Sequence, residues 1–211
     1  MPEPTLESTF AAVAIAPQPD AVAAATRRLR ERFQEPHRAY HNEAHTVAVL
    51  SQLYEWTDGE PTQCLVAAAL YHDAVYDPTR SDNEARSAEL CAQELAQRGF
   101  TPAVIDRVSI LIEMTAQHLP PPGDTEAILL ADADLYILGA THDEYEAYRE
   151  AIRAEYAHVP EDAWRTGRAR VLQRFLERPR IFHGNWSGVD AHEGRARRNL
   201  AGEIESLRVI Q

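Results

Sequence analysis

With 211 residues, 45% of them hydrophobic, the chain is long enough for one domain with a sizeable core and too apolar to be disordered. Its formal net charge of -12 combines 33 acidic residues with 21 basic ones, all of them arginine. That balance disfavours duplex nucleic acid, whose binding rests on neutralising many phosphates, and the missing lysine excludes a P-loop lysine or a Schiff base.

No apolar run approaches the ~20 residues that span a bilayer. Phe10 to Ala16 has no positive charge before it and no long apolar core, so it does not read as a secretory signal; the expected location is the cytoplasm, with no membrane partner. Cys64 and Cys91 lie far apart in apolar helical patterns, which predicts buried free thiols and excludes a thiolate zinc site. The arginine- and alanine-rich composition points to a GC-rich bacterial genome.

Helical periodicity recurs along the chain and strand signals are nearly absent. Thr5 is placed to cap a first helix stopped by Pro17 and Pro19, and Asp20 to cap a second from Val22 to Phe33, before Pro36. Asn42 offers a cap for Glu43 to Trp56. Beyond Asp58-Gly59, a helix starting near Pro61 carries Cys64 to Leu70, apolar on every side and therefore central. Ser81 or Asp82 opens Glu84 to Gln97, closed by Gly99. Thr101-Pro102 opens a helix to about His118, ended by Pro120-Pro121-Pro122-Gly123. Thr125 to Leu138, His142 to His158, Glu161 to Glu177 and Ala191 to Leu207 complete the set, and Pro179 to Val189 is the longest loop. No linker or repeat divides the chain, so the expectation is one all-α domain over residues 1–211, a helical bundle with its core at about 25–205.

Three segments stand out from this amphipathic background. In Tyr40-His41-Asn42-Glu43-Ala44-His45, the four-residue spacing of the histidines lets both project toward one region. His72-Asp73 ends the all-apolar helix, where an ionised carboxylate is costly to bury unless paired or bound to metal. Asp132-Ala133-Asp134-Leu135 follows another apolar stretch, and because residues two apart diverge on a helix, only one aspartate is expected at a shared site. Imidazoles and carboxylates from separate helices suit a hard or borderline divalent ion: manganese, magnesium, iron, cobalt, nickel or zinc. Such an ion activates water and polarises a phosphoryl oxygen.

The order histidine, His-Asp and distant Asp on an all-helical chain resembles the HD-domain metal-dependent phosphohydrolases. Tyr40-His41-Asn42 with His45 is similar to the Y-H-N-x-x-H segment of cyclic-nucleotide phosphodiesterases, and Ala133-Asp134-Leu135 to the A-D-L that carries their last metal aspartate. Small bacterial proteins grouped as predicted HD phosphohydrolases share strings like Tyr71-His72-Asp73, Asn83-Glu84-Ala85-Arg86-Ser87-Ala88, Asp132-Ala133-Asp134-Leu135, Arg153-Ala154-Glu155-Tyr156 and Asn199-Leu200. The resemblance spans roughly residues 25 to 205. It implies an HD-type bundle whose metal is held by His45, His72, Asp73 and Asp134, with Asp134 preferred over Asp132. It also implies His41 as general acid for the leaving oxygen, and a small phosphorylated substrate of nucleotide type hydrolysed by metal-activated water.

Glu84 is a candidate base, water-orienting group or second-metal ligand, although a first-turn glutamate also simply suits the helix dipole. His118, before the prolines, is a candidate substrate-site residue, set against a pocket-wall or capping role. Arg38, Arg80 and Arg153 are candidate phosphate contacts through paired guanidinium donors, each set against an ordinary ion pair. Tyr145, Tyr148, Tyr156 and Trp164 fall at core spacings. Arg195, Arg197 and Arg198, interleaved with glutamates, read as a solvated face.

Two departures from the family pattern stand out. Ala74-Val75-Tyr76 replaces the glycine and lysine that often follow His-Asp in signalling HD proteins, and no second metal set is plainly visible. The competing readings are a di-iron HD oxygenase, with His41, Glu84 and His118 as extra ligands, and a catalytically silent nucleotide-binding HD module. Assembly as a homodimer stays open.

Overall fold

The computed structural model describes residues 4–12 and 19–208, which are helical throughout their regular elements and contain no strand. They gather into two compact units divided after Asp134.

The first unit holds α1 (Leu6–Ala12), α2 (Pro19–Phe33), α3 (Glu43–Trp56), α4 (Gln63–Tyr71), α5 (Asn83–Gln97), α6 (Pro102–Met114) and α7 (Thr125–Asp134). The expected stop at Pro17 and the Asp20 side chain lie outside the described residues. Pro19 opens α2 rather than closing the segment before it, as suits a residue with fixed φ and no N–H to leave unpaired.

α4 is the centre. Leu65 through Tyr71 are buried without a break, so every face of this short helix is covered. Its cap is Thr62, whose hydroxyl accepts from the Leu65 N–H at 3.2 Å. Around it Leu29, Phe33, Leu50, Leu53, Leu111 and Leu130 close one apolar core. The α5–α6 turn uses Gly99 at φ 82°, which glycine adopts without steric cost. Arg107 fastens the start of α7 through Asp124, at 2.6 and 2.8 Å, and Glu126, at 2.7 Å.

Two helices of this unit stop earlier than their periodicity predicts. α6 ends at Met114, not His118; the Thr115 hydroxyl donates to the Ile112 carbonyl at 2.7 Å, competing with the helix ladder as short hydroxyl side chains do. α7 ends at Asp134, and the chain tightens into a 3₁₀ segment, Leu135–Gly139, a common ending for a helix.

The second unit holds that segment with α8 (His142–Glu155), α9 (Glu161–Leu176) and α10 (Val189–Arg208). Gly139 lies so close to His192 that an added Cβ would stand 2.2 Å from the ring. A buried polar knot joins α8, α9 and α10: Tyr145 donates to Glu203 at 2.6 Å, and Arg168 donates to both Glu203 oxygens at 2.8 and 3.2 Å. The arginine-rich start of α10 is only partly the solvated face its composition predicts. Arg195 donates to the Gly139 carbonyl at 2.8 Å, and Arg197 to the Leu176, Arg178 and Pro179 carbonyls at 3.1, 2.8 and 3.2 Å, because the loop before α10 has backbone acceptors that need donors. Arg198 alone is exposed. Cys64 and Cys91 are free thiols, and no helix among the described residues is long and apolar enough to cross a membrane.

Candidate metal centre

Three local structures aim side chains at one point in the first unit. Asn42 caps α3, its Oδ1 accepting from the Ala44 N–H at 2.9 Å and the His45 N–H at 3.4 Å; this cap places His45 in the first turn with its ring inward. α4 delivers His72 and Asp73 at its C-terminal end. There the Asn83 side chain bonds the Asp77 N–H and carbonyl at 3.1 and 3.0 Å, and Ser87 brackets Val75 at 3.0 and 3.2 Å. The last residue of α7 supplies Asp134.

The donor atoms converge. His45 Nε2 lies 3.1 Å from His72 Nε2, 3.1 Å from Asp134 Oδ1 and 3.4 Å from Asp73 Oδ2. His72 Nε2 lies 3.1 Å from Asp73 Oδ2 and 3.6 Å from Asp134 Oδ1. Around an ion with bonds of roughly 2.1 Å, neighbouring donors stand roughly 3.0 Å apart in an octahedron and roughly 3.4 Å apart in a tetrahedron. The observed spacings, 3.1 to 3.6 Å, lie close to those edges. His45, His72 and Asp134 form a group able to hold a metal ion, with Asp73 against both imidazoles. Asp132 is fully buried but is not part of that group.

Tautomer and charge fit the same use. The His72 Nδ1–H donates to the Ala69 carbonyl at 2.9 Å, which leaves its Nε2 facing the cluster, the usual support for a metal-binding imidazole. Burial works against charge on His72, yet Asp73 and Asp134 outweigh it and hold the imidazole well above its ordinary pKa. Burial likewise opposes ionisation of the two aspartates, but His72 holds both well below the carboxylate range. The histidine side chains are 3% and 1% exposed, whereas Asp73 and Asp134 keep 15% and 13%, so approach from solvent is on the carboxylate side.

The remaining candidates fall in different places. His41 is beside the cluster: its ring stacks on Tyr76 at 4.2 Å between centroids and meets the His45 ring at 5.8 Å, and its charge helps to lower Asp73. His118 Nε2 lies 2.7 Å from Asp134 Oδ2, so it touches the centre. Glu84 is half-buried in the first turn of α5, and no hydrogen bond or ion pair joins it to the cluster among the described residues. Arg80 is exposed and chelates Asp82 at 2.7 and 2.6 Å. Arg153 belongs to the second unit, donating to the Tyr156 carbonyl at 2.7 Å and to Glu161 at 3.2 Å.

Arg38 corrects the phosphate-contact expectation. Its side chain is fully buried, with Nε on Glu35 at 2.9 Å and Nη1 on the His41 and Asp73 carbonyls at 2.8 and 2.7 Å. A guanidinium sequestered in this way clips the His41 loop to the His72-Asp73 turn. Sequence reasoning missed that role because a buried arginine and a surface one look alike in sequence.

An all-helical unit that gathers imidazole and carboxylate donors from α3, α4 and α7 defines a helical class with a centre able to hold a metal ion. Within that class, the HD-domain family model matches residues 42–138, which supports membership in the HD-domain superfamily. Proteins of that family are generally metal-dependent hydrolases. No curated protein and no solved structure matches the chain.

Proposed function

We propose that this protein is a metal-dependent phosphohydrolase acting on a small nucleotide-like phosphomonoester or phosphodiester. One observation carries the reading: the donor atoms of His45, His72 and Asp134 lie within 4.8 Å of one another, with Asp73 against both imidazoles. A divalent ion held there supplies Lewis acidity toward a phosphoryl oxygen and lowers the pKa of water. His45 and His72 offer nitrogen lone pairs from the buried side. Asp73 and Asp134 offset the positive charge and border the side open to solvent. His41, packed on Tyr76 beside Asp73, is the group proposed to protonate the leaving oxygen.

The test is a phosphate-release screen across a nucleotide panel with the ion found in the native protein. Metal-dependent release is the expected result. Unchanged activity in a His72→Ala/Asp73→Ala double variant would refute the reading. A second reading, a di-iron oxygenase, draws support from His118 at Asp134; two irons per chain and a visible absorption band after aerobic purification would favour it, and a single manganese or nickel would count against it.

A further inference from the structure

On the metal-centre reading just given, we propose that His118 is a positioning residue: it holds the outer oxygen of Asp134 so that the inner oxygen alone faces the ion. The two carboxylate oxygens have separate partners. Oδ1 lies 3.1 Å from His45 Nε2 and 3.6 Å from His72 Nε2, inside the cluster. Oδ2 lies 2.7 Å from His118 Nε2. Because an ionised carboxylate only accepts hydrogen bonds, Nε2 of His118 carries the proton in that contact. His118 is not part of the group of donors that could hold a metal ion. It acts on Asp134, not on the ion.

The backbone supports the same role. His118 has φ 48°, and Asp58 is the one other non-glycine residue with positive φ among the described residues. The left-handed conformation burdens any residue with a Cβ, and such strain concentrates where a site dictates side-chain direction. Here the chain leaves α6 after Met114, makes turns closed by the Ala116 and Gln117 N–H groups at 3.2 Å each, and reverses at His118. The reversal brings the imidazole onto a carboxylate sixteen residues further along. Without that bond the Asp134 carboxylate is free to rotate about its own axis, and the single-oxygen presentation is lost.

The experiment is a calorimetric titration of Mn²⁺ into metal-free wild-type protein and into His118→Gly and His118→Gln variants, with thermal melting of each metal-free protein. Glycine fits the positive φ and removes the ring; glutamine restores an N–H donor of comparable reach. The expected result for His118→Gly is affinity weaker by about 10- to 100-fold, unchanged stoichiometry and a melting temperature no lower than wild type, with His118→Gln recovering most of the affinity. Unaltered Mn²⁺ affinity in His118→Gly would overturn the proposal. So would the loss of one bound ion per chain, which would make His118 a ligand, or a fall in melting temperature in both variants, which would make it structural. A wild-type protein that takes up no Mn²⁺ at a site sensitive to His72→Ala would instead remove the metal-centre reading itself.

Discussion

Each unit contains a buried knot of charged side chains, and the two are built on opposite principles. In the second unit Glu203 is answered in full: the Arg168 guanidinium and the Tyr145 hydroxyl donate to it at 2.6 to 3.2 Å, and Arg149 stands 3.8 Å away. Arginine does not lose its proton in proteins, so this balance is permanent. In the first unit Asp73 and Asp134 face His45 and His72, whose imidazoles bear charge only while protonated. Their nitrogens point at each other, 3.1 Å apart. A knot meant only to hold helices together aims donors at acceptors, as α8, α9 and α10 do. A knot that gathers ring nitrogens and carboxylate oxygens at a common point could hold a cation.

The sharpest way to break this comparison is to remove one partner from each knot in metal-free protein. Glu203→Gln strands a buried guanidinium, and losing one partner of a buried ion pair costs about 3–5 kcal/mol. Asp134→Asn leaves imidazoles that can discharge by losing a proton, so the loss there should be smaller. Equal losses in urea unfolding would erase the distinction. Next in size is the response to metal. Mn²⁺ at about 100 times its Kd should stabilise the protein by about 2.7 kcal/mol, reversed by a chelator. Glu203→Gln should keep that increment and His72→Ala should lose it; an increment retained in His72→Ala would place the ion elsewhere.

A purely steric change gives a third measure. Gly139→Ala would press a methyl group against the His192 ring, at 2.2 Å from Cδ2 and 2.4 Å from Nε2, and overpacking of this kind costs about 1–3 kcal/mol. It should lower the melting temperature without changing Mn²⁺ affinity. The smallest effect belongs to a partly exposed pair. Arg107 holds the Asp124 carboxyl below its ordinary pKa. Its contribution is therefore present above the unfolded value of about 3.9 and is lost as pH falls through the lower folded value. With exposure limiting it to about 1 kcal/mol or less, Asp124→Asn should flatten the acid limb of stability slightly. An acid limb identical to wild type would deny the pair any role.

Much of the centre was legible in the sequence because its chemistry is sparse. His45, His72-Asp73 and Asp134 interrupt apolar helical stretches where polar groups are otherwise unwelcome, and the Asn42 cap fixed where α3 begins. Arg38 and His118 were harder to read. Their types and neighbours suggested a phosphate contact and a pocket wall, but what they touch lies 35 and 16 residues away, on Asp73 and Asp134. Arg195 and Arg197 misled for a similar reason: a charge-rich stretch reads as solvated until a loop with unpaired carbonyls lies against it.

The helical class, the central place of α4 and the segments that carry the candidate ligands follow from apolar periodicity, caps and proline stops, all of which act within a few residues along the chain. Which aspartate turns inward, which oxygen of Asp134 meets which imidazole, and whether an arginine is a clip or a surface charge depend on side chains brought together from distant segments. Local propensity carries no record of those distances. They are set only when the apolar faces pack and leave the remaining polar groups to find one another.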